Sequence, residues 1–358
     1  MTAQRFADLL DRFRGVSVAV VGDYFVDRYL VIDPALSVPS VETGLDAYQI
    51  VARRMSPGAA GTVVGNLHTL GVGAIEAVGV TGADGECFEL RSALQRWGVQ
   101  LDGLLQEHDL FTPTYIKPML LGPDGSEVES HRLDVTNRQP LSDRVQSALS
   151  ERIRDCARRV DAIIVADQVE ELELGTITPS VRQAICDLGA DRPELPIFVD
   201  SRANVGHFTG VIVKPNASEA ACTLDVELPE RVSAEVAEHL ARRLGARTGR
   251  TAYVTLGADG MAVYDPKSGE SGENDFTHMP AYPVEGPIDI VGAGDSATAG
   301  IVPALCAGAS AAEAALFGIL ASSITIQQIG TTGTASPAQM RERFGQYLQH
   351  FPSVLSRV

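Results

Sequence analysis

The stretch Asp289-Ile-Val-Gly-Ala-Gly-Asp-Ser-Ala-Thr298 predicts a glycine turn that leads directly into a helix. Gly292 and Gly294 allow the backbone to turn sharply and to approach a ligand, and the small and apolar run 297–305 then has the composition of a helix. The free amide groups of such a turn and the positive end of the helix dipole both favour phosphate or a developing oxyanion. We therefore predict an anion-binding site at residues 292–294.

Asp295 lies at the mouth of this predicted site. Its negative charge would repel a bound phosphate, so a role as helix N-cap alone explains it poorly. As a general base it would take the proton of a substrate hydroxyl while the amides stabilise the charge on a transferring γ-phosphoryl group. The alternative, an ordinary N-cap in a glycine-rich helix start, stays open on these ten residues alone.

The composition bounds the partners and the compartment. A chain of 358 residues is long enough for one large α/β domain or two smaller ones. Its net charge of -17 would repel polyanions, so we expect neither nucleic acid nor a membrane as a partner. The five cysteines show no paired spacing, and residues 1–14 form a charged amphipathic pattern unlike a signal peptide. We expect a cytoplasmic protein, with residues 297–326 forming two buried helices and no membrane span.

Short apolar runs alternate with helical patterns along the chain. Strands are predicted at 16–21, 75–79, 162–166, 196–200, 210–214 and 252–256, and helices at 87–97, 143–159, 178–188 and 233–248. This alternation is typical of a doubly wound α/β sheet with helices on both faces. Asp167 and Asp200 each lie at a predicted strand end.

Two stretches outside this alternation predict a second, smaller sheet. Residues 29–54 mix short β-prone pieces with prolines, and residues 112–135 contain a hairpin around the turn 122–125. Bare sheet edges and apolar faces need cover, so we expect this sheet to close as a lid over the site or to pair with a second copy.

Polar and small residues near the first strand suggest a sugar site. Ligands of open α/β sheets bind at the carboxyl ends of the strands, where we expect Asp27 to hold sugar hydroxyls and Asp23 to be a turn residue. The run 57–66 lets a small ligand approach the backbone, and Asn66 adds a bidentate polar group. Close helix packing is the alternative for its small residues.

The nucleotide site must be of an unusual kind, because the chain contains no P-loop motif and no dinucleotide fingerprint after its first strand. The segment 255–260, a strand end with a glycine turn, would pass beneath an adenosine. Phosphoryl transfer also needs charge neutralisation, usually by magnesium, and Glu219 with Asn216 beside it is the candidate.

Four segments, 58–66, 214–219, 254–260 and 289–295, resemble in order and spacing the motifs of the ribokinase-like (pfkB) family of carbohydrate kinases. Further segments, 20–29, 112–117, 131–134 and 330–337, are most similar to the kinase domain of bifunctional heptose-phosphate kinase/adenylyltransferases. The resemblance implies a single domain over residues 1–358. It also implies a three-layer α/β/α doubly wound sheet with a small β-sheet lid at about 29–54 and 112–135, which often pairs in homodimers.

The resemblance also implies roles for individual residues. At the reaction centre Asp295 is the base, and the amides of Gly292, Ala293 and Gly294 form the anion hole. The sugar site comprises Asp27, Gly58 and Asn66, and the nucleotide site comprises Lys214, Asn216, Thr255, Gly257 and Gly260 with Gly292 and Gly294. Glu219 and Asn216 would order magnesium through water, and Asp289 would help to hold a monovalent cation such as K+.

A phosphorylated acceptor would need local cations, and Lys117, Arg132 and Arg28 on the lid are the candidates, with ordinary solvated charges as the alternative. The sugar motif departs from the family pattern, because Ala59 and Thr62 stand where a second glycine and an asparagine are usual.

We predict an ATP-dependent kinase that phosphorylates a hydroxyl of a sugar or sugar phosphate, such as a heptose 7-phosphate-like substrate. The alternative is a sugar or nucleotide sensor that keeps the fold without catalysis, which only the altered sugar motif suggests. A pure binder gains nothing from a base that repels phosphate, so we favour the enzyme.

Overall fold

The computed structural model describes residues 1–171, 173–270, 274–330 and 332–352. The strands are β1 Ser17–Gly22, β2 Tyr24–Pro39, β3 Asp46–Ala59, β4 Ala74–Gly82, β5 Gln100–Glu107, β6 Thr114–Leu121, β7 Glu127–Glu129, β8 Leu133–Val135, β9 Ala162–Asp167, β10 Ile197–Ser201, β11 Ile212–Val213, β12 Ala252–Thr255, β13 Met261–Tyr264 and β14 Phe276–Met279. The helices are α1 Ala3–Arg12, α2 Ala60–Leu70, α3 Gly85–Arg96, α4 Asp143–Cys156, α5 Pro179–Asp191, α6 Ala217–Leu224, α7 Ala234–Thr248, α8 Pro266–Glu270, α9 Ala293–Cys306, α10 Ala311–Thr325 and α11 Pro337–His350.

The main sheet has the strand order β14-β13-β12-β11-β10-β9-β1-β4-β5 within the described residues. Its strands run parallel from β5 to β12, and β13 and β14 continue it antiparallel. Successive residues of β1 point into different hydrophobic layers: Val18 and Val20 pack with α1, α2, α9, α10 and α11, while Ala19 and Val21 pack with α4, α5 and α7. This alternation explains why the central strands are apolar throughout. The predicted doubly wound α/β sheet between two helical layers is confirmed.

A smaller sheet stands at the carboxyl edge of the main one. Its order is β3-β2-β6-β7, with β8 also paired to β6. Strand β2 is parallel to β6 and antiparallel to β3. Residues 29–54 and most of 112–135 lie in this sheet, and its outer part exposes large apolar side chains: Leu36, Val38, Leu45, Tyr48, Ile50, Val51, Val128 and Leu133.

Helix α6 was not predicted, because the polar sequence 215–219 looks like a ligand-binding loop. In the structure its residues Asn216 and Glu219 form a capping box that starts the helix. In the part of the chain that the structure describes, no helix is both long enough and apolar enough to cross a membrane.

Candidate active site

The glycine turn starts helix α9. Gly292 is its N-cap residue with a φ of 77°, which favours glycine, and it makes no side-chain cap. Ala293, Gly294 and Asp295 are therefore the first three residues of the helix, so the interpretation of Asp295 as the N-cap does not apply. A Cβ atom at Gly292 would lie 3.3 Å from Cγ2 of Thr62, so the structure brings the predicted sugar motif on α2 beside the turn.

Asp295 is electrostatically unusual. Burial raises the pKa of its carboxyl to about 7, and the nearby Asp200 raises it further, while Lys214 and Arg202 act in the opposite direction. A carboxyl with a pKa near neutral exchanges a proton readily at physiological pH, which suits a general base.

A buried ion pair lies below the turn. Nζ of Lys214 is 2.9 Å from Oδ2 of Asp200, and the Lys214 side chain is only 3% exposed. The hydroxyl of Thr298 donates to the same oxygen of Asp200 at 3.1 Å. A Cβ atom at Gly294 would lie 3.5 Å from Nζ of Lys214, an ordinary van der Waals contact, so the start of α9 lies next to this cation. Burial lowers the pKa of Lys214, but Asp200, Glu219 and Asp295 raise it more, so the ammonium stays charged.

The nucleotide segments predicted from the sequence are neighbours in the structure. Asn216 and Thr255 form a parallel bridge, and the Thr255 amide donates to the carbonyl of residue 215 at 3.0 Å. Gly257 and Gly260 have φ angles of 57° and 98° in the following turn. A Cβ atom at Gly260 would collide with the Met279 carbonyl oxygen, so this glycine is required by packing, whereas Gly257 faces open space.

Glu219 and Asn216 supply oxygen atoms next to the buried lysine. The Asn216 amide donates to Oε2 of Glu219 at 2.8 Å, and Oδ1 of Asn216 accepts from the Glu219 amide at 2.9 Å. Burial raises the pKa of Glu219 despite the opposing effects of the Asn216 amide, Lys214 and Arg202. Carboxylate and amide oxygens suit Mg²⁺, which keeps several waters and binds through few protein groups. The described residues contain no group of three or more His, Cys, Asp or Glu side chains arranged to hold a metal. The magnesium role of Glu219 and Asn216 stays a prediction.

Asp289 lies just before the glycine turn. Its amide donates to the Ile326 carbonyl at 2.8 Å, and its Oδ1 accepts from the Val291 amide at 3.0 Å. The role of Asp289 at a monovalent cation stays a prediction.

The predicted sugar residues form a second cluster on the small sheet. Oδ1 of Asp27 is 3.0 Å from Nζ of Lys117, and both side chains are 14% exposed. Lys117 also donates to the Tyr29 hydroxyl at 3.3 Å. A Cβ atom at Gly58 would lie 2.6 Å from Oδ2 of Asp27, so the absence of a side chain at Gly58 makes room for this carboxylate.

Two predicted substrate residues are engaged elsewhere. Asn66 is fully buried, and its Nδ2 donates to the carbonyls of Thr62 and Gly333, so it ties α2 to residues 332–334. Arg132 makes two hydrogen bonds to Asp134 and stacks over the Tyr115 ring. Oδ1 of Asn66 is buried and has no hydrogen-bond partner among the described residues. The sugar contact of Asn66 and the phosphate contact of Arg132 remain predictions.

Sequence reasoning did not assign Asp200, Thr298 or Arg202 to the site. The position of Asp200 at a predicted strand end was the available signal, because carboxyl ends of parallel strands converge on the ligand site. Arg202, two residues further on, gave no signal of its own.

Comparison with known proteins relates part of the chain to a protein family. Residues 209–339 match the family model described as pfkB family carbohydrate kinase. The resemblance to this family that the motifs predict is confirmed over these residues.

Its relatives include bifunctional proteins named HldE. The chain is 26% identical over 343 residues to the bifunctional protein HldE of Gluconobacter oxydans, covering 93% of this chain and 66% of that protein. It is 27% identical over 331 residues to HldE of Desulfatibacillum aliphaticivorans, covering 92% of this chain and 63% of that protein. The chain thus spans about two thirds of the length of these relatives.

Solved structures agree on the fold. Phosphofructokinase-2 from Escherichia coli, in complex with substrates and products, superposes with a TM-score of 0.67 at 18% identity, covering 93% of this chain and 99% of that one. Ribokinase of Arabidopsis thaliana, complexed with ribose and ATP, gives a TM-score of 0.62 at 19% identity, covering 92% and 98%.

Proposed function

We propose that this protein is a sugar kinase that uses ATP and Asp295 to phosphorylate a hydroxyl of a sugar phosphate, with a heptose phosphate as the leading candidate acceptor. The observation that carries the proposal is the combination at the start of α9. A carboxyl with a pKa near 7 follows a glycine turn that rests on the ammonium of Lys214. The resemblance of segments 20–29, 112–117, 131–134 and 330–337 to heptose-phosphate kinases favours a heptose phosphate as the acceptor.

In this mechanism Asp295 accepts the proton of the attacking hydroxyl. The amides of Gly292, Ala293 and Gly294 and the positive end of α9 stabilise the negative charge that develops on the transferring group. Lys214 adds a fixed positive charge below the same turn. Because Asp200 and Lys214 are already paired, this charge distribution is organised before substrates bind, which lowers the reorganisation needed in the transition state.

The remaining residues bind and orient the substrates. Thr255, Gly257 and Gly260 would lie under the nucleotide, and Glu219 with Asn216 would order Mg²⁺ through water. The metal, when bound, supplies charge neutralisation on the phosphate oxygens. Asp27, held by Lys117 and given room by Gly58, would accept hydrogen bonds from sugar hydroxyls.

Two further features belong to the proposal. The exposed apolar side chains of the small sheet would be covered by the same sheet of a second copy, giving a homodimer. A monovalent cation such as K+ would sit near Asp289, and the protein would work in the cytoplasm.

The test is a coupled assay of ADP release over free hexoses, pentoses, hexose phosphates and heptose phosphates, with wild type and Asp295→Asn. Asp187→Asn, on an exposed turn of α5 whose carboxylate contacts only Gln183 in the described structure, is the matched control. We expect wild type and the control to turn over a sugar phosphate and Asp295→Asn to lose at least about a hundredfold in kcat. Near wild-type turnover by Asp295→Asn would remove the base from the mechanism. Binding of sugar and nucleotide by wild type without any ADP release would favour the sensor.

A further inference from the structure

Arg202 is an exposed cation at the carboxyl edge of the main sheet. It directly follows strand β10, and its backbone amide donates to the carbonyl of Asp167, the last residue of the neighbouring β9, at 3.1 Å. Its Nε donates to Oε1 of Gln168 at 2.9 Å. The base of the side chain is therefore anchored at the edge where ligands of such sheets bind, two residues beyond Asp200.

Four other cations in or next to strands of the two sheets are already paired with carboxylates. Lys214 pairs with Asp200 at 2.9 Å, Lys117 with Asp27 at 3.0 Å, Arg132 with Asp134 at 2.7 Å and Arg28 with Glu89 at 2.8 Å. Arg202 differs, because within the described residues its side chain has only the neutral amide of Gln168 as a hydrogen-bond partner. No carboxylate among those residues contacts its guanidinium group.

The charge of Arg202 acts on both sides of the cleft. On the side of the glycine turn it lowers the pKa of Asp295 and of Glu219, against the larger effect of burial in each case. On the side of the small sheet it acts in the same direction on the pKa of Tyr115, whose ring carries Arg132 on it at 4.4 Å. The charge of Arg202 is therefore close enough to act on both the proposed base and the small sheet, in which Tyr115 lies opposite Asp27.

The carboxylates around the cleft would repel a phosphate group, so a phosphate ligand needs a further positive charge there. Four carboxyl groups lie around the cleft, those of Asp27, Asp200, Asp295 and Glu219. Within the described residues Asp27 is paired with Lys117 and Asp200 with Lys214, and the other two have no paired cation. A dianionic phosphate that enters would be repelled unless a further positive charge met it. The guanidinium of arginine presents parallel N–H groups that match phosphate oxygens in pairs, and Nη1 and Nη2 of Arg202 have no hydrogen-bond partner within the described structure.

We propose that Arg202 binds a phosphoryl group in the cleft between the glycine turn and the small sheet, and that this group is the phosphate of the acceptor. The inference rests on the proposed function, because it takes the acceptor to be a sugar phosphate. It assigns the acceptor phosphate to Arg202 in place of Lys117 and Arg132, the candidates predicted from the sequence. The same chemistry would also serve the terminal phosphate of ATP, so the experiment separates the two sources.

The experiment measures binding by calorimetry, without turnover, for wild type, Arg202→Gln and Arg132→Gln. The probes are sedoheptulose 7-phosphate, fructose 6-phosphate, free sedoheptulose, ATP and ADP. We expect wild type to bind a sugar phosphate at least tenfold more tightly than the free sugar, and Arg202→Gln to lose that preference while ADP binding is unchanged. Arg132→Gln, which removes an already paired cation, is expected to bind like wild type.

A loss confined to ATP relative to ADP would support the phosphoryl site and assign it to the nucleotide. The proposal would be overturned if Arg202→Gln bound each probe with the same affinity as wild type. It would also be overturned if Arg132→Gln lost as much affinity for sugar phosphates as Arg202→Gln. The variant's thermal unfolding is compared with wild type to establish that it is folded. Because binding is read directly, a wild type that binds phosphates through Arg202 but releases no ADP would refute the kinase mechanism and leave this inference standing.

Discussion

Replacing the proposed base should stabilise the protein, which a purely structural role for Asp295 does not predict. Burial and the neighbouring Asp200 hold the pKa of Asp295 at about 7, against an ordinary value of 3.8. Each unit of pKa corresponds to ~1.4 kcal/mol, so ionising this carboxyl in the folded state costs at most ~4 kcal/mol. The carboxyl is half-buried, so solvent screening reduces the effect, and we expect ~2 kcal/mol.

The sign of this effect depends on pH. A carboxyl whose pKa is raised by folding contributes its full stability only below the pKa of the unfolded chain. That contribution falls as the pH rises from about 4 and is lost once the pH passes about 7. Asp295→Asn abolishes this titration. The variant should therefore be more stable than wild type by a difference that is smallest at pH 4.5 and grows to ~2 kcal/mol at pH 8, while its kcat is lower by two to four orders of magnitude.

Urea unfolding at pH 4.5, 6, 7 and 8 measures this difference, with circular dichroism and the fluorescence of Trp97, the only tryptophan, as probes. Asp167, whose pKa burial also raises to about 7, titrates in both proteins and cancels in the comparison. A difference in the free energy of unfolding that stays constant across this pH range, or a variant that is less stable at pH 8, would refute the assignment of a raised pKa to Asp295.

Three further substitutions test other parts of the site. Ala59 has a φ of 52°, a value that favours glycine, so Ala59→Gly should raise the free energy of unfolding by ~1 kcal/mol in a denaturant titration. The control Ala60→Gly, at the first residue of α2 and without a positive φ, should not raise it. Lys117→Met leaves Asp27 without its partner, and the Michaelis constants for free and phosphorylated sugars should rise together; a rise for phosphorylated sugars alone would restore Lys117 as the phosphate ligand. Glu219→Gln should increase the magnesium concentration needed for half-maximal activity, and an unchanged magnesium titration would exclude Glu219 from ordering the metal.

The sequence predicts the main sheet well because its signal is local. Apolar runs such as 162–166 are strands with both faces covered, and the glycines at 292 and 294 mark the start of helix α9. The predicted helix 297–305 begins four residues earlier in the structure, because the turn is completed by Gly292 alone. That shift moves Asp295 into the first turn of the helix.

What the sequence could not supply is pairing across distant segments. Asp27 and Lys117 meet because β2 and β6 are parallel neighbours, with Tyr29 opposite Lys117 in the register, and nothing local to either residue encodes this. The pair Asp200 and Lys214 likewise depends on β10 and β11 lying side by side. A cation that looks free in the sequence is therefore found neutralised in the fold, and Arg202, without any motif around it, is left with a neutral partner.

The attachment of the small sheet to the main one has a mechanical consequence. A Cβ atom at Gly22 would collide with the Ala166 carbonyl, and the Asp23 carboxylate accepts hydrogen bonds from the amides of Gln168, Val169 and Thr176. Strand β2 starts at the next residue, Tyr24, so its first residues are anchored to the main sheet. Its register with β3 becomes irregular only beyond Val31, where a bulge makes a strand easier to bend. The regular part of β2, which carries Asp27, is thus held against the main sheet. We expect bending of the small sheet to be confined to the part of β2 beyond Val31.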